Sequence, residues 1–182
     1  GEYFHSFTGE HGGLWRHQGE TEPQRLTGIG FTSEGFDISS YYRRTPDSHD
    51  ARVAFMFKGI GKDELIGDFG FHGGGAAGNE LDRADPELGT PPNALVVATS
   101  EEHTDLYMVV NEEIFINHPG MSGKDHPLVR ADIVFFETAN GGAVFSTGSI
   151  AYGASLPWND YKNNIAKLTG NVLKRFADSK PF

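Results

Sequence analysis

The sequence predicts an α/β domain that is built mainly from short strands and ends in one helix. Strand-like runs are rich in aromatic and β-branched residues and are separated by Gly, Pro, Asn or Asp. They cover residues 14–17, 26–33, 52–60, 93–100, 106–110, 113–117, 131–138 and 142–150. Only the segment 159–178 carries apolar residues at helical spacing. Because one amphipathic helix cannot cover both faces of such a sheet, we expect a further layer from elsewhere.

The last two strand-like runs form the clearest local motif. Ala139–Asn140–Gly141–Gly142 separates the runs 133–138 and 143–150. An Asn-Gly pair readily adopts the positive φ angles of a tight turn. The sequence therefore predicts a β-hairpin here.

The C-terminal segment 159–178 has the features of an amphipathic helix. Asn159 or Asp160 can cap its N-terminus, and basic residues lie near its C-terminal end. Gly170 costs about 1 kcal/mol relative to Ala inside a helix, which predicts close packing at that position. The apolar stripe consists of Ile165, Leu168, Val172 and Phe176.

Composition excludes several function classes. The chain has 182 residues, a net charge of −10 and no cysteine. The negative charge argues against nucleic acid or an anionic membrane as a partner. The lack of cysteine excludes a thiolate nucleophile and Cys-ligated zinc. No signal peptide is visible, and no apolar run approaches the roughly 20 residues of a membrane helix. A cytoplasmic enzyme is expected, which the lack of cysteine fits. The first residue is Gly, which predicts a processed product or a piece of a longer polypeptide.

A glycine-rich stretch, Gly73–Gly78, matches the pattern G-x-G-x-x-G. A dinucleotide site needs a helix to begin there so that backbone amides can bind the pyrophosphate. Pro86, Pro91 and Pro92 follow and prevent a long helix. We therefore reject a dinucleotide site and predict a turn-rich loop.

Three carboxylates are candidates for acid–base catalysis. Glu80 and Asp82 would share a face of an extended segment, where mutual repulsion can raise one pKa toward neutrality. The alternative is two solvated loop acids near Arg83. Glu137 ends an apolar run, and catalytic groups often lie at the carboxyl ends of strands in α/β folds. The alternative is a residue at the sheet's rim that bonds the hairpin.

The first residues of the chain offer metal-ligand types. Glu2, His5, Glu10 and His11 lie close together, and His and carboxylate suit Zn or Fe. Their spacing matches no zinc-protease motif, so polar loop residues are the alternative. The stretch 41–44, Tyr-Tyr-Arg-Arg, is either polar surface or an anion-capturing site.

Several longer stretches resemble one family. "AAGNELDR", "LGTPPNALVVATSEEHTD" and above all "VFFETANGGAVFSTGSIA" are similar to the C-terminal part of the large (beta) subunit of N,N-dimethylformamidase. The resemblance implies that 1–182 is the C-terminal part of a class I glutamine-amidotransferase-like α/β sandwich with a mixed sheet. It implies hydrolysis of small N-substituted formamides, such as N,N-dimethylformamide to dimethylamine and formate.

The resemblance also implies a mononuclear iron held by two tyrosines and a glutamate. The tyrosine ligands should come from outside this chain, so Tyr3, Tyr41 and Tyr42 are not assigned to the metal. Glu2 is the best candidate for the glutamate ligand, and Glu10 is the next.

Proton transfer is assigned on the same basis. Glu137 and Glu80 compete for the role of the acid–base glutamate, with Asp82 in reserve beside Glu80. His5 would move a proton or orient the substrate. The cysteine-based mechanism of glutamine amidotransferases is excluded, because the chain has no cysteine.

The expected partners are a small formamide, the remainder of the large subunit and a small subunit, in a hetero-oligomer. Two alternatives stay open. The chain could be a non-catalytic scaffold or ligand-binding module, or a sugar-handling relative of the same fold.

Overall fold

The structure, a computed structural model, describes residues 7–9, 22–110 and 120–182. The predicted strands 14–17 and 113–117 lie outside these residues. The helices are α1 (Pro23–Thr27), α2 (Ile150–Ser155) and α3 (Asn164–Phe176). The strands are β1 (Gly30–Arg44), β2 (Ala77–Arg83), β3 (Leu95–Glu101), β4 (Met108–Val109), β5 (Asp132–Glu137) and β6 (Ala143–Ser146). The α/β class is thus confirmed.

The strands form one curled sheet in the order β2-β1-β3-β5-β6, and β4 pairs with β1. Every strand pair in the described ranges is antiparallel, so the predicted mixed sheet is not seen there. The long strand β1 pairs with β2 and β4 over its first part and with β3 over 41–44. Irregular register in β1 allows this change of neighbour, because extra residues bend a strand and increase its twist.

Strand β5, which lies between β3 and β6, is buried on both faces. Ile133 and Phe135 point into the main core, which also contains the buried stripe of α3. Val134 and Phe136 point the other way, into a smaller cluster with Ile29 next to α1. A strand that is covered on both faces has apolar residues at nearly every position. This continuous apolar run is the reason that the sequence predicts β5.

The hairpin prediction is confirmed, and β5 and β6 pair from Val134–Ser146 to Glu137–Ala143. The strand predicted over 52–60 is wrong, because this segment is a succession of turns that begins with a single helical turn, Ala51–Val53. Its buried residues are Val53, Met56, Phe57 and Ile60. These positions follow each other at steps of three, one and three residues, as on one face of a helix, and not at steps of two as in a strand. The apolar and aromatic composition of the segment therefore indicated the wrong structure.

Strand β2 occupies positions that were predicted as part of a turn-rich loop. The glycine-rich stretch leads directly into β2 and not into a helix, so the rejection of a dinucleotide site is confirmed. The loop prediction is wrong from Ala77 onward. Asn, Asp, Glu and Gly are poor strand formers, and β2 forms because Leu81 is buried and the strand pairs with β1.

The predicted C-terminal helix is confirmed, with a later start and an earlier end. Asn159 and Asp160 have φ angles of 49° and 52°, which an α-helix does not allow. Asn163 caps the helix instead, since its side chain accepts a hydrogen bond of 2.8 Å from the N–H of Ala166. A Cβ added at Gly170 would meet no atom within 4 Å, so the predicted close packing is wrong. Among the described residues, no helix has the length and apolarity needed to cross a membrane.

Candidate functional site

Three of the predicted site residues lie outside the described residues. These are Glu2, His5 and Glu10. Their assignments as metal ligands and proton-transfer group therefore stay predictions.

The β2 carboxylates share one face, as predicted for an extended segment. Glu80 is exposed and Asp82 is half-buried, while Leu81 and Arg83 between and after them point inward. The residue opposite Glu80 on β1 is Glu34, which is also exposed. Like charges directly opposite on neighbouring strands repel each other. The alternative interpretation places two solvated acids in a loop near Arg83. The loop is wrong, because both acids lie on strand β2.

Glu137 ends β5, where the sequence placed it. It is half-buried and pairs with Ala143 across the hairpin, and its backbone carbonyl accepts a hydrogen bond of 2.9 Å from the side chain of Asn93. The opposite end of β5 touches β2, because a carboxylate oxygen of Asp132 accepts a hydrogen bond from Ala84. At about 3.3 Å per residue the two ends of β5 are about 17 Å apart. The structure therefore does not bring Glu137 next to the β2 carboxylates.

The described ranges contain no group of three or more His, Asp or Glu side chains placed to hold a metal ion. The residues predicted to bind iron lie outside those ranges, so the described side chains do not by themselves form the predicted metal centre. The iron and its ligands remain proposals.

The structure reveals a buried polar cluster that the sequence did not indicate. We call it the His103 cluster; it comprises Asp37, Ser39, Ser100, His103 and Tyr107. His103 is only 2% exposed, its Nε2 lies 2.6 Å from Ser100 Oγ, and its ring lies 4.7 Å from that of Tyr107. Burial lowers the pKa of His103 to about 4, and the negative charge of Asp37 partly opposes this shift.

Ser100 links His103 to the residue just before strand β5. Its hydroxyl accepts a bond of 2.7 Å from the N–H of Ala131 and lies within hydrogen-bond distance of His103 Nε2. The other ring nitrogen, Nδ1, and Asp37 Oδ1 are buried and have no hydrogen-bond partner. A neutral imidazole with such a low pKa is a poor proton acceptor near neutral pH, so the cluster has a structural role.

The His103 cluster lies beneath a bulge in β1. Gly35 pairs with Asn79 and Ser40 with Ala77, so five steps along β1 match two steps along β2. The extra residues form the bulge, 36–39. The backbone of the bulge is anchored to the glycine-rich stretch, because the N–H of Ser39 donates a hydrogen bond of 2.9 Å to the carbonyl of Gly73.

The glycine-rich stretch is what allows this bulge to pack. A Cβ at Gly75 or Gly78 would overlap atoms of Ser39, and at Gly75 also the carbonyl of Ser40. The glycines in this stretch therefore allow two backbone segments to approach each other closely. The repeated glycines were the signal in the sequence, but they do not say which segment packs against them.

The bulge and the neighbouring strand β4 present apolar side chains to solvent. Phe36 is 74% and Ile38 65% exposed, and next to them Leu106 is 68% and Met108 40% exposed. Met108 pairs with Glu34 in antiparallel register, and this register continued by two residues sets Leu106 opposite Phe36. We call these four residues the apolar patch. Exposed apolar groups on neighbouring segments commonly mark an interaction surface.

The sheet and its surface are found in a chain that is related to amide-hydrolysing enzymes. Residues 1–164 match the family described as N,N-dimethylformamidase beta subunit-like, C-terminal, and the chain belongs to this family. It is 50% identical over 181 residues to the N,N-dimethylformamidase beta subunits of Alcaligenes sp and Paracoccus aminophilus. The matches cover 100% of this chain but 24% of each relative, so the chain spans about a quarter of their length. The resemblance predicted from the sequence is confirmed.

Proposed function

We propose that this chain is part of the large subunit of an amide hydrolase that cleaves the C–N bond of small N-substituted formamides. N,N-dimethylformamide and water would give dimethylamine and formate. The observation that carries the proposal is 50% identity along the chain to two proteins named N,N-dimethylformamidase beta subunit. The word subunit in these names supports a hetero-oligomer with a small subunit. We propose a cytoplasmic location for the assembly.

We further propose that the sheet is the C-terminal part of a glutamine-amidotransferase-like sandwich. The support is the uneven covering of the sheet. Helix α3 covers one face of the central strands, whereas, within the described ranges, only α1 and a small apolar cluster cover the other. The layer that would complete a sandwich then comes from the remainder of the large subunit.

Glu137 is our first choice for the acid–base group. The residue is half-buried at the end of an apolar strand, a position that catalytic groups often take in α/β folds. In the hydrolysis it would take a proton from the attacking water and pass it to the departing amine. Glu80 is the competing choice, with Asp82 in reserve, although Glu80 is exposed and lies opposite Glu34.

The proposed cofactor is one iron ion, with Glu2 or else Glu10 as the ligand from this chain and the remaining ligands from outside it. When bound, iron would polarise the formyl oxygen and activate water. His5 would move a proton or orient the amide in the same region.

The test compares two variants of the complete iron-loaded enzyme by the release of dimethylamine and formate. We expect Glu137→Gln to reduce turnover at least about 100-fold, the usual scale of acid–base catalysis. Glu80→Gln is the matched control and should change turnover little. The reverse result would transfer the role to Glu80. A loaded, folded enzyme that releases no amine from any formamide would refute the proposed reaction and favour the scaffold.

A further inference from the structure

We propose that the apolar patch is the surface by which this chain docks onto the remainder of the large subunit. The partner surface would be an apolar pocket rimmed by Lys or Arg side chains. This inference rests on the proposal that the chain is part of a longer large subunit. It does not depend on the amide-hydrolase chemistry.

The bulge that carries half of the patch is held in place from inside the chain. The N–H of Ser39 donates to Gly73 in the glycine-rich stretch. The hydroxyl of Thr104 donates a bond of 2.7 Å to Asp37, which ties the bulge to the segment before β4. Because Phe36 and Ile38 alternate with these anchored residues, both side chains are presented outward on a preorganised backbone. Preorganisation of this kind reduces the entropic cost of binding.

The four residues of the patch come from two paired segments. Glu34 pairs with Met108 in antiparallel register, and this register continued by two residues sets Leu106 opposite Phe36. The bulge and the β4 segment therefore each bring two large exposed side chains to this part of the sheet. Single exposed apolar residues are ordinary, but four on neighbouring segments beside an anchored bulge are not.

The length of the relatives indicates what covers the patch. The chain matches 24% of each relative, so about three quarters of their length lies outside the matched region and has to pack somewhere. The sheet face that carries the patch has no described helix layer over it, whereas α3 covers the main core. The remainder of the large subunit is the nearest source of such a layer.

Charge argues against a second copy of this chain as the occupant. Glu34 and Glu80 are exposed and adjacent to the patch. A twofold contact would place these carboxylates near those of the other copy, in a chain that already carries −10. A different surface with a basic rim would pair with them instead. This is the reason for the Lys or Arg rim in the proposal.

The experiment measures thiol accessibility in the complete large subunit, prepared without the small subunit. The chain has no cysteine, so Ile38→Cys and Leu173→Cys each introduce a thiol that a maleimide reagent can label. The two positions are matched, with exposed fractions of 65% and 63% in this chain. Mass spectrometry of the corresponding peptides gives the labelling rate at each position. Labelling in urea shows that both thiols react equally once the subunit is unfolded.

We expect Ile38→Cys to be labelled at least about 30-fold more slowly than Leu173→Cys, because a covered thiol reacts only in transiently opened molecules. Equal rates would overturn the proposal. Protection that disappears on dilution would assign the patch to a second copy, and protection that appears only with the small subunit would assign it to that subunit. Either result also overturns the proposal. None of these measurements depends on activity, so failure of the proposed reaction would be seen separately.

The basic rim is tested by charge reversal next to the patch. Glu34→Lys, added to Ile38→Cys, should accelerate labelling about 10-fold, since a like charge now faces the rim. Glu87→Lys reverses an exposed charge at another site and is the control. An acceleration that is equal in both variants, or absent in both, would overturn the basic rim.

Discussion

Acidification should destabilise this protein through His103. The imidazole is buried and neutral, and its pKa is lowered to about 4 from an ordinary value of 6.5. The unfolded chain therefore binds a proton more readily than the folded chain between these two values. Stability from this residue is complete above about pH 6.5 and is lost as the pH falls toward 4.

The magnitude follows from the size of the pKa shift. Each unit corresponds to about 1.4 kcal/mol, so His103 should remove about 2 kcal/mol of stability by pH 5 and about 3 kcal/mol by pH 4. Because the side chain is 2% exposed, solvent screening reduces this value little. The charge of Asp37 would attract the imidazolium, but burial is the larger cause.

The assay is urea unfolding of the 182-residue chain, followed by tryptophan fluorescence, at several pH values and constant ionic strength. The reference is His103→Gln, whose amide can still bond to Ser100 but does not titrate. Carboxylates titrate in both proteins, so the difference between the two pH dependences isolates His103. In the complete large subunit, hydrogen exchange over 100–107 gives the same comparison. Identical pH dependences for the two proteins would refute this reasoning.

Three further substitutions test the packing. Asn164→Ala should lower the free energy of unfolding by about 2 to 3 kcal/mol in urea titrations, because the buried N–H of Gly67 loses its acceptor; a change below 0.5 kcal/mol would contradict this. Gly170→Ala should raise the free energy of unfolding by about 1 kcal/mol, since the added methyl group of this α3 residue meets open space. A decrease in the free energy of unfolding would contradict this open space. Gly75→Ala should lower the melting temperature and loosen the bulge, because its Cβ would overlap the carbonyl of Ser40; an unchanged melting temperature would exclude that overlap.

The parts of the fold that could be predicted are those with local signals. The hairpin of β5 and β6 has an Asn-Gly turn between two apolar runs, and α3 has an apolar stripe of period 3.6. Its start was misplaced because Asn159 and Asp160 are good caps by type, yet their backbone is left-handed. The choice of Asn163 depends on the turn that precedes the helix.

The candidate site was less predictable than the fold. The shared face of Glu80 and Asp82 follows from alternation along an extended segment. Glu34, which pairs with Glu80 on the neighbouring strand, is distant in the sequence. His103 lies between Glu102 and Thr104 and reads as a loop residue. Only long-range packing buries it and lowers its pKa.

The sequence by itself determined the α/β class, the family, the C-terminal helix and the last hairpin. These depend on identity to relatives or on interactions between residues a few positions apart. Tertiary structure alone decided that 52–60 turns, that 77–83 forms a strand and that a bulge exposes Phe36 and Ile38. For 77–83 and the bulge the reason is that their backbone partners, β1 and Gly73, lie tens of residues away along the chain. The turns of 52–60 are closed by local hydrogen bonds, but the core that buries their apolar residues forms only in the folded chain.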